Sequence, residues 1–342
     1  MDPARLAPMT VFDPHRIRPW VGPAPDPPLR RLLAACLAAP PLALRRWQEW
    51  LELIDFNHDN GAGFELAALA VARLGKAAGD GSVAARCLGL QRRSWLLSGL
   101  ALRAAKQLGA AAAHNGLTLL AQGDLASHLG PVRCGGQPLP VRRLELVVMG
   151  AAGGFAGLAS RRAVATLQRC ALEGAAGEAV RTGRLPLQIH TLPLLGSGQA
   201  ASARHAPPQP SALPGVLLPD PGEHLAGLIV QGWRCHPPAG LRWIVELTCR
   251  FQPLSGEVEP ATGAAAAAVA AGTPDHGHPD LVAAVVAAMG HPGERAAVGS
   301  ALQALVQLEG CASLGPLQEA IERAGPPGPV SRWRRRRRLR TR

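Results

Sequence analysis

The stretch from Leu117 to Met149 constrains the fold more than any other part of this chain. It opens with a short apolar run, Leu117-Thr118-Leu119-Leu120-Ala121, and passes through Gln122-Gly123-Asp124. It closes on Arg143-Leu144-Glu145-Leu146-Val147-Val148-Met149. Each apolar run has the length of a buried strand. Gly123 turns the chain, Leu125 to Leu129 starts a helix, and Gly135-Gly136-Gln137-Pro138 is a loop. Arg143 and Glu145 stand two apart, so both side chains leave one face of the second strand.

The sequence on either side is mostly helical. Residues 1–28 carry eight prolines and no apolar period, which predicts an extended, partly disordered arm. From Leu29 to Gly116 apolar residues recur at helical spacing: Leu32, Leu33, Cys36 and Leu37, then Leu44, Trp47, Leu51 and Ile54, then Phe64 to Leu74. Pro40-Pro41 breaks the first two helices apart. A long helix is expected from Val83 to Asn115, with Gly116 as its stop. Beyond Met149 the pattern predicts a helix from Arg161 to Gly174 and a third strand from Leu185 to Leu192. Ser197 to Pro214 reads as a low-complexity loop. Helices are expected again over 220–231, 241–250, 280–289, 294–308 and 316–324, with an Ala/Gly-rich insertion over 257–278.

This order divides the chain into six parts. They are the arm (1–28), an N-terminal helical part (29–116), an α/β core (117–196), a loop (197–215), a C-terminal helical part (216–325) and an arginine-rich, disordered tail (326–342). The fold class is α+β, a small mixed sheet between two helical parts.

Charge is distributed unevenly. The formal net charge is +12, and eight arginines lie within residues 332–342: Arg332, Arg334, Arg335, Arg336, Arg337, Arg338, Arg340 and Arg342. Subtracting them leaves +4, so the body is only mildly basic. The tail, with Trp333 interleaved, has the chemistry to hold a polyanion: RNA, DNA or an acidic protein surface. The cysteines number seven, are scattered and form no CxxC pair, which reads as free thiols rather than a disulfide framework or zinc ribbon. The N-terminal residues lack the apolar run of a signal peptide, and no window reaches the roughly 18 apolar residues of a membrane span. The expectation is a cytoplasmic protein without membrane contact.

The order of elements resembles the uncharacterised nucleotidyltransferase family of bacteria, a branch of the polymerase β-like nucleotidyltransferase superfamily, over residues 29–320. Leu53-Ile54-Asp55-Phe56, leading into the helix that ends at Arg73-Leu74, is similar to that family's early helices. Arg92-Arg93-Ser94-Trp95 sits where the family has a basic-aromatic segment in a long helix. Leu119-Leu120-Ala121-Gln122-Gly123 is similar to its apolar strand ending in Lys-Gly. Arg143-Leu144-Glu145 stands at its Asp-x-Asp, Leu187-Gln188-Ile189-His190 at its later acidic-x-His strand, and Leu241 to Leu247 at its Leu-Arg-Trp-x-x-Asp-Leu helix.

The resemblance implies NMP transfer from a nucleoside triphosphate, with carboxylates holding Mg²⁺ and a glycine turn admitting the phosphates. Gln122, Gly123 and Asp124 would face the nucleotide, and Glu145 would be the one carboxylate left for catalysis and Mg²⁺. Arg143 and Gln188 occupy two degenerate metal positions. The expectation is therefore impaired or lost transfer. The alternatives are a non-catalytic binding or scaffolding module, or a polyanion binder acting through the tail.

Lesser candidates have plainer readings. Asp124 reads more simply as the N-cap of the following helix than as a substitute ligand. Asp275, His276, His278 and Asp280 lie in a loop without i,i+4 ligand spacing. His190 shares a face with Gln188. Ser94 has no GxSxG turn, and Gly150-Ala151-Ala152-Gly153-Gly154 lacks the dinucleotide spacing.

Overall fold

The computed structural model describes residues 27–54, 63–79, 81–130, 133–134, 137–150, 160–190, 208–234, 242–251, 278–288, 295, 298–299, 302–303 and 305–324. The arm, the insertion over 257–277 and the arginine tail lie outside the described residues, apart from the arm's last two positions.

The first described elements are three helices: α1 (Pro27–Leu37), α2 (Pro40–Leu53) and α3 (Gly63–Leu74). Pro40 and Pro41 separate the first two as expected and occupy the first positions of α2. A proline there forfeits no intrahelical hydrogen bond. A 3₁₀ turn (Gly75–Ala78) leads to α4 (Ser82–His114), 33 residues long. Gly116 follows α4 with φ 67°, the left-handed backbone that stops a helix.

The α/β core follows as β1 (Leu117–Gln122), α5 (Gly123–Leu129), the two-residue strands β2 (Arg133–Cys134) and β3 (Gln137–Pro138), and β4 (Leu144–Gly150). Then come α6 (Ser160–Ala171), α7 (Gly174–Arg181) and β5 (Leu187–His190). The strands β6 (Gln209–Pro210) and β7 (Val216–Leu218) precede α8 (Pro221–Arg234), α9 (Arg242–Phe251), α10 (His278–Ala288) and α11 (Gly315–Ala324).

The main sheet has five strands in the order β5-β4-β1-β7-β6. β4 runs antiparallel to β1 and parallel to β5, and β7 runs parallel to β1. The architecture is thus α+β, mostly helical with a small mixed sheet. Alternation along β1 and β4 sends Leu119, Ala121, Leu144, Leu146 and Val148 to one face, against the C-terminal half of α4, α6 and α7. Leu120, Val147 and Met149 form a small cluster on the opposite face, with Leu217 against it. A separate core joins α1, α2, α3, α8, α9, α10 and α11 around Trp47, Trp50, Ile244, Phe251 and Leu302. α4 enters both cores, through Cys87 in one and through Ala101 to Ala112 in the other.

Three expectations need correction. Residues 209–210 and 216–218, read as loop and helical part, are strands of the main sheet. Their Ser/Pro composition builds a tight hairpin rather than a tether. Ser211 Oγ donates to Val216 O at 2.7 Å and accepts from Leu213 N at 3.0 Å, and Gly215 turns the chain at φ 73°. The helix expected over Arg161–Gly174 stops at Ala171, and a new one, α7, begins at Gly174. α5 begins at Gly123, two residues before its first leucine.

Among the described residues no helix is long and apolar enough to cross a membrane. Cys36, Cys87, Cys170, Cys249 and Cys311 are free thiols.

Candidate functional site

The residues singled out in the sequence converge on one end of the sheet. Cross-strand register sets Gln122 of β1 beside Glu145 of β4, and Glu145 beside Gln188 of β5. Cross-strand neighbours share a face, so the three side chains form a row on the face that carries Leu120 and Val147. Arg143 stands two residues before Glu145. His190 is two residues beyond Gln188, in register with Val147.

Glu145 is the centre of this row. It is 3% exposed, and Arg143 Nε meets its Oε1 at 2.8 Å. Its other oxygen, Oε2, is buried and has no hydrogen-bond partner among the described residues. Burial pushes its carboxyl above the usual range; Asp124 adds to the rise, while Arg143 and Arg142 oppose it. Gly123 completes the contact. It opens α5 at φ 49°, and a Cβ there would fall on Glu145 Oε2. Conformation and space both require glycine at this turn.

Asp124 lies in the first turn of α5, but it is not the N-cap. That position is Gln122, which makes no side-chain cap hydrogen bond. The Asp124 carboxylate instead accepts from the Arg142 backbone N–H at 3.0 Å and from its Nε at 3.3 Å. Two donors on the incoming chain outcompete the helix end, and they tie the start of α5 to the start of β4. Among the described residues His190 Nε2 is buried without a partner, and burial, aided by Arg143, holds the ring below the usual histidine range.

Mg²⁺, which the resemblance implies, does not fit this donor set. A hard dication takes several oxygen ligands, carboxylates foremost. Here one carboxylate is neutralised by a guanidinium, its in-register neighbours are the amides of Gln122 and Gln188, and Asp124 is engaged by Arg142. Among the described residues of this row, Glu145 Oε2 is the buried oxygen without a partner. Among the described residues no group of three or more His, Cys, Asp or Glu side chains is placed to hold a metal. Arg332 and Arg334 to Arg338 lie outside the described residues, as do Asp275, His276 and the four residues Ala151 to Gly154.

A second polar cluster went unrecognised in the sequence. His224 of α8 places Nε2 3.1 Å from Ser127 Oγ of α5 and 3.2 Å from Glu246 Oε1 of α9. Ser127 and Glu246 are fully buried. Ser127 Oγ donates its own hydrogen to Gly123 O at 3.0 Å, so towards His224 it acts as acceptor and Nε2 carries the hydrogen. This differs from a hydrolase triad. There the acid and the serine sit on opposite ring nitrogens, whereas here both sit on Nε2. The available signal was Glu246, an acid inside the apolar run Ile244-Val245-Glu246-Leu247, which folding leaves in want of a donor.

The two clusters share α5, which touches Glu145 at its first residue and His224 one turn later. Set beside known proteins, the chain matches no family model, no curated protein and no solved structure.

Proposed function

We propose that this chain is a nucleotidyltransferase-like protein that has exchanged its metal cage for an ion pair and serves as a non-catalytic binding module. One observation carries the reading: the buried Glu145 carboxylate is taken by the Arg143 guanidinium at 2.8 Å, with Gln188 in the neighbouring register position. Nucleotidyl transfer needs metal-held phosphates at this point, and an adjacent fixed cation repels the metal. The frame supports the same reading. A long helix, a strand, a glycine turn, a helix, an antiparallel strand and a further parallel strand follow in the order that the resemblance implies.

Calorimetry tests it. Titration of the wild type with ATP, GTP, CTP and UTP is expected to give the same heat with and without Mg²⁺. The double variant Arg143→Asp, Gln188→Asp restores two carboxylates beside Glu145 and is expected to gain Mg²⁺-dependent heat. Mg²⁺-dependent heat in the wild type that disappears in Glu145→Ala would overturn the proposal and return the chain to the transferases.

A further inference from the structure

The longest helix, α4, turns one side away from both cores. Cys87, Ala101, Ala105 and Ala112 are buried, and a step of about 100° per residue puts them together on one side of the helix. Leu88, Arg92, Leu96, Arg103 and Lys106 fall on the other side, within an arc of about 80°. All are exposed, Leu88 by 40% and Leu96 by 71%. A Cβ at Gly89 or Gly99 would meet no atom within 4 Å, so the helix surface there is open.

Two properties of this side choose its partner. The first is charge. α4 carries Arg86, Arg92, Arg93, Arg103 and Lys106 and no Asp or Glu, so it lacks the acids three or four residues away that offset cations on a helix. Among the described residues no carboxylate pairs with Arg92, Arg93, Arg103 or Lys106. The second is apolar area. Leu88 and Leu96 stand about two turns apart with Arg92 between them, and Leu96 is the most exposed large hydrophobic side chain among the described residues. A phosphate backbone would answer the cations and leave the leucines uncovered. A second copy of α4 would answer the leucines and set arginine against arginine. An amphipathic helix with acidic flanks answers both.

We infer that this side of α4 is a docking surface for an acidic amphipathic helix of another protein. The partner's apolar residues cover Leu88 and Leu96, and its carboxylates lie against Arg92, Arg103 and Lys106. From Leu88 to Lys106 the surface runs about 27 Å, the length of a partner helix of about five turns. It contains none of Arg143, Glu145 or Gln188, so it does not depend on what that end of the sheet binds.

Fluorescence anisotropy on the full chain tests it, with labelled peptides of three heptads. One has Leu at a and d and Glu at e and g, where the repulsion between glutamates keeps its own copies apart. The second has Ala in place of Leu, and the third has Lys in place of Glu. An oligouridylate is the fourth probe. The Leu/Glu peptide is expected to bind about tenfold or more tightly than either other peptide. The arginine tail attracts any acidic probe, and the Ala/Glu peptide measures that background. Leu88→Ser with Leu96→Ser is expected to erase the preference for Leu over Ala. Arg92→Glu with Arg103→Glu is expected to weaken the Leu/Glu peptide about tenfold and to strengthen the Leu/Lys peptide. All four positions are exposed, so both variants are expected to keep the wild-type far-UV CD signal and urea midpoint. Equal binding of the Leu/Glu and Ala/Glu peptides to the wild type, or a preference that survives both variants, would overturn the inference. Oligouridylate binding that is lost in Arg92→Glu with Arg103→Glu, while peptide binding is unchanged, would give the surface to nucleic acid instead. A wild-type dimer that Leu96→Ser dissolves in sedimentation equilibrium would give it to a second copy.

Discussion

Glu145 shows how two opposing effects settle at one residue. Arg143 favours its charged form, and burial disfavours it more strongly. A carboxyl raised in the folded state contributes stability that is fully present below its ordinary value of 4.5 and is lost as pH rises through the raised value. Glu145→Gln mimics the protonated acid and carries no such dependence. Its stability relative to wild type should therefore increase as pH climbs from 4.5 towards neutrality, in urea melts taken at a series of pH values. Parallel curves for the two proteins would contradict the assignment. The pairing of Arg143 with Glu145 was legible in the sequence from their spacing of two, although β4 begins only at Leu144 and Arg143 lies in the bend just before it. The bond from His224 to Glu246 was not, because it joins residues 22 apart on different helices and only tertiary packing brings them together. Asp124 was misread for a related reason: local helix-start chemistry was visible, while the competing donor, 18 residues along, was not.

At the level of elements, α4 reads as a helix from its composition, but its small residues have a second purpose. Gly109 lies against the hairpin that carries β7. A Cβ there would strike Pro214 O and come within 3.0 Å of Val216 Cγ2, and a Cβ on Gly215 would in turn strike the Gly109 carbonyl. Gly109→Ala should therefore destabilise the protein by about 2 kcal/mol, the usual range for overpacking a closed contact. Gly89, exposed on the same helix with nothing near its missing Cβ, is the control. Gly89→Ala should stabilise by about 0.8 kcal/mol through helix propensity alone. Urea denaturation of both variants checks the pair, and a loss at Gly89 equal to that at Gly109 would refute the packing account. The contact also explains why β7 was missed. Its three residues are too few to show a period, and its place beside β1 is set by a glycine pair remote in sequence.

For the molecule as a whole, α4 is the common member of two cores, about 50 Å long at 1.5 Å per residue. Trp47, Trp50 and Trp243 all report on the core around α1, α2 and α9, while the sheet lies in the other. A shared helix predicts that the two melt together. Tryptophan fluorescence and far-UV CD should give coincident urea transitions in the wild type. Leu96, 71% exposed between the two buried segments of α4, is the place to cut the link. Leu96→Pro should cost about 3 kcal/mol and pull the two transitions apart. Coincident transitions in that variant would show that the cores are coupled elsewhere.

The order of the sheet has a consequence for behaviour in concentrated solution. Among the described strands the outermost are β5, four residues long, and β6, two residues long and ending in Pro210. Neither offers the long, flat ladder of unpaired amides on which a foreign strand can grow, and proline removes one donor outright. Among the described residues the two longest strands, β1 and β4, thus lie in the interior of the sheet, with their backbone amides already paired on both sides.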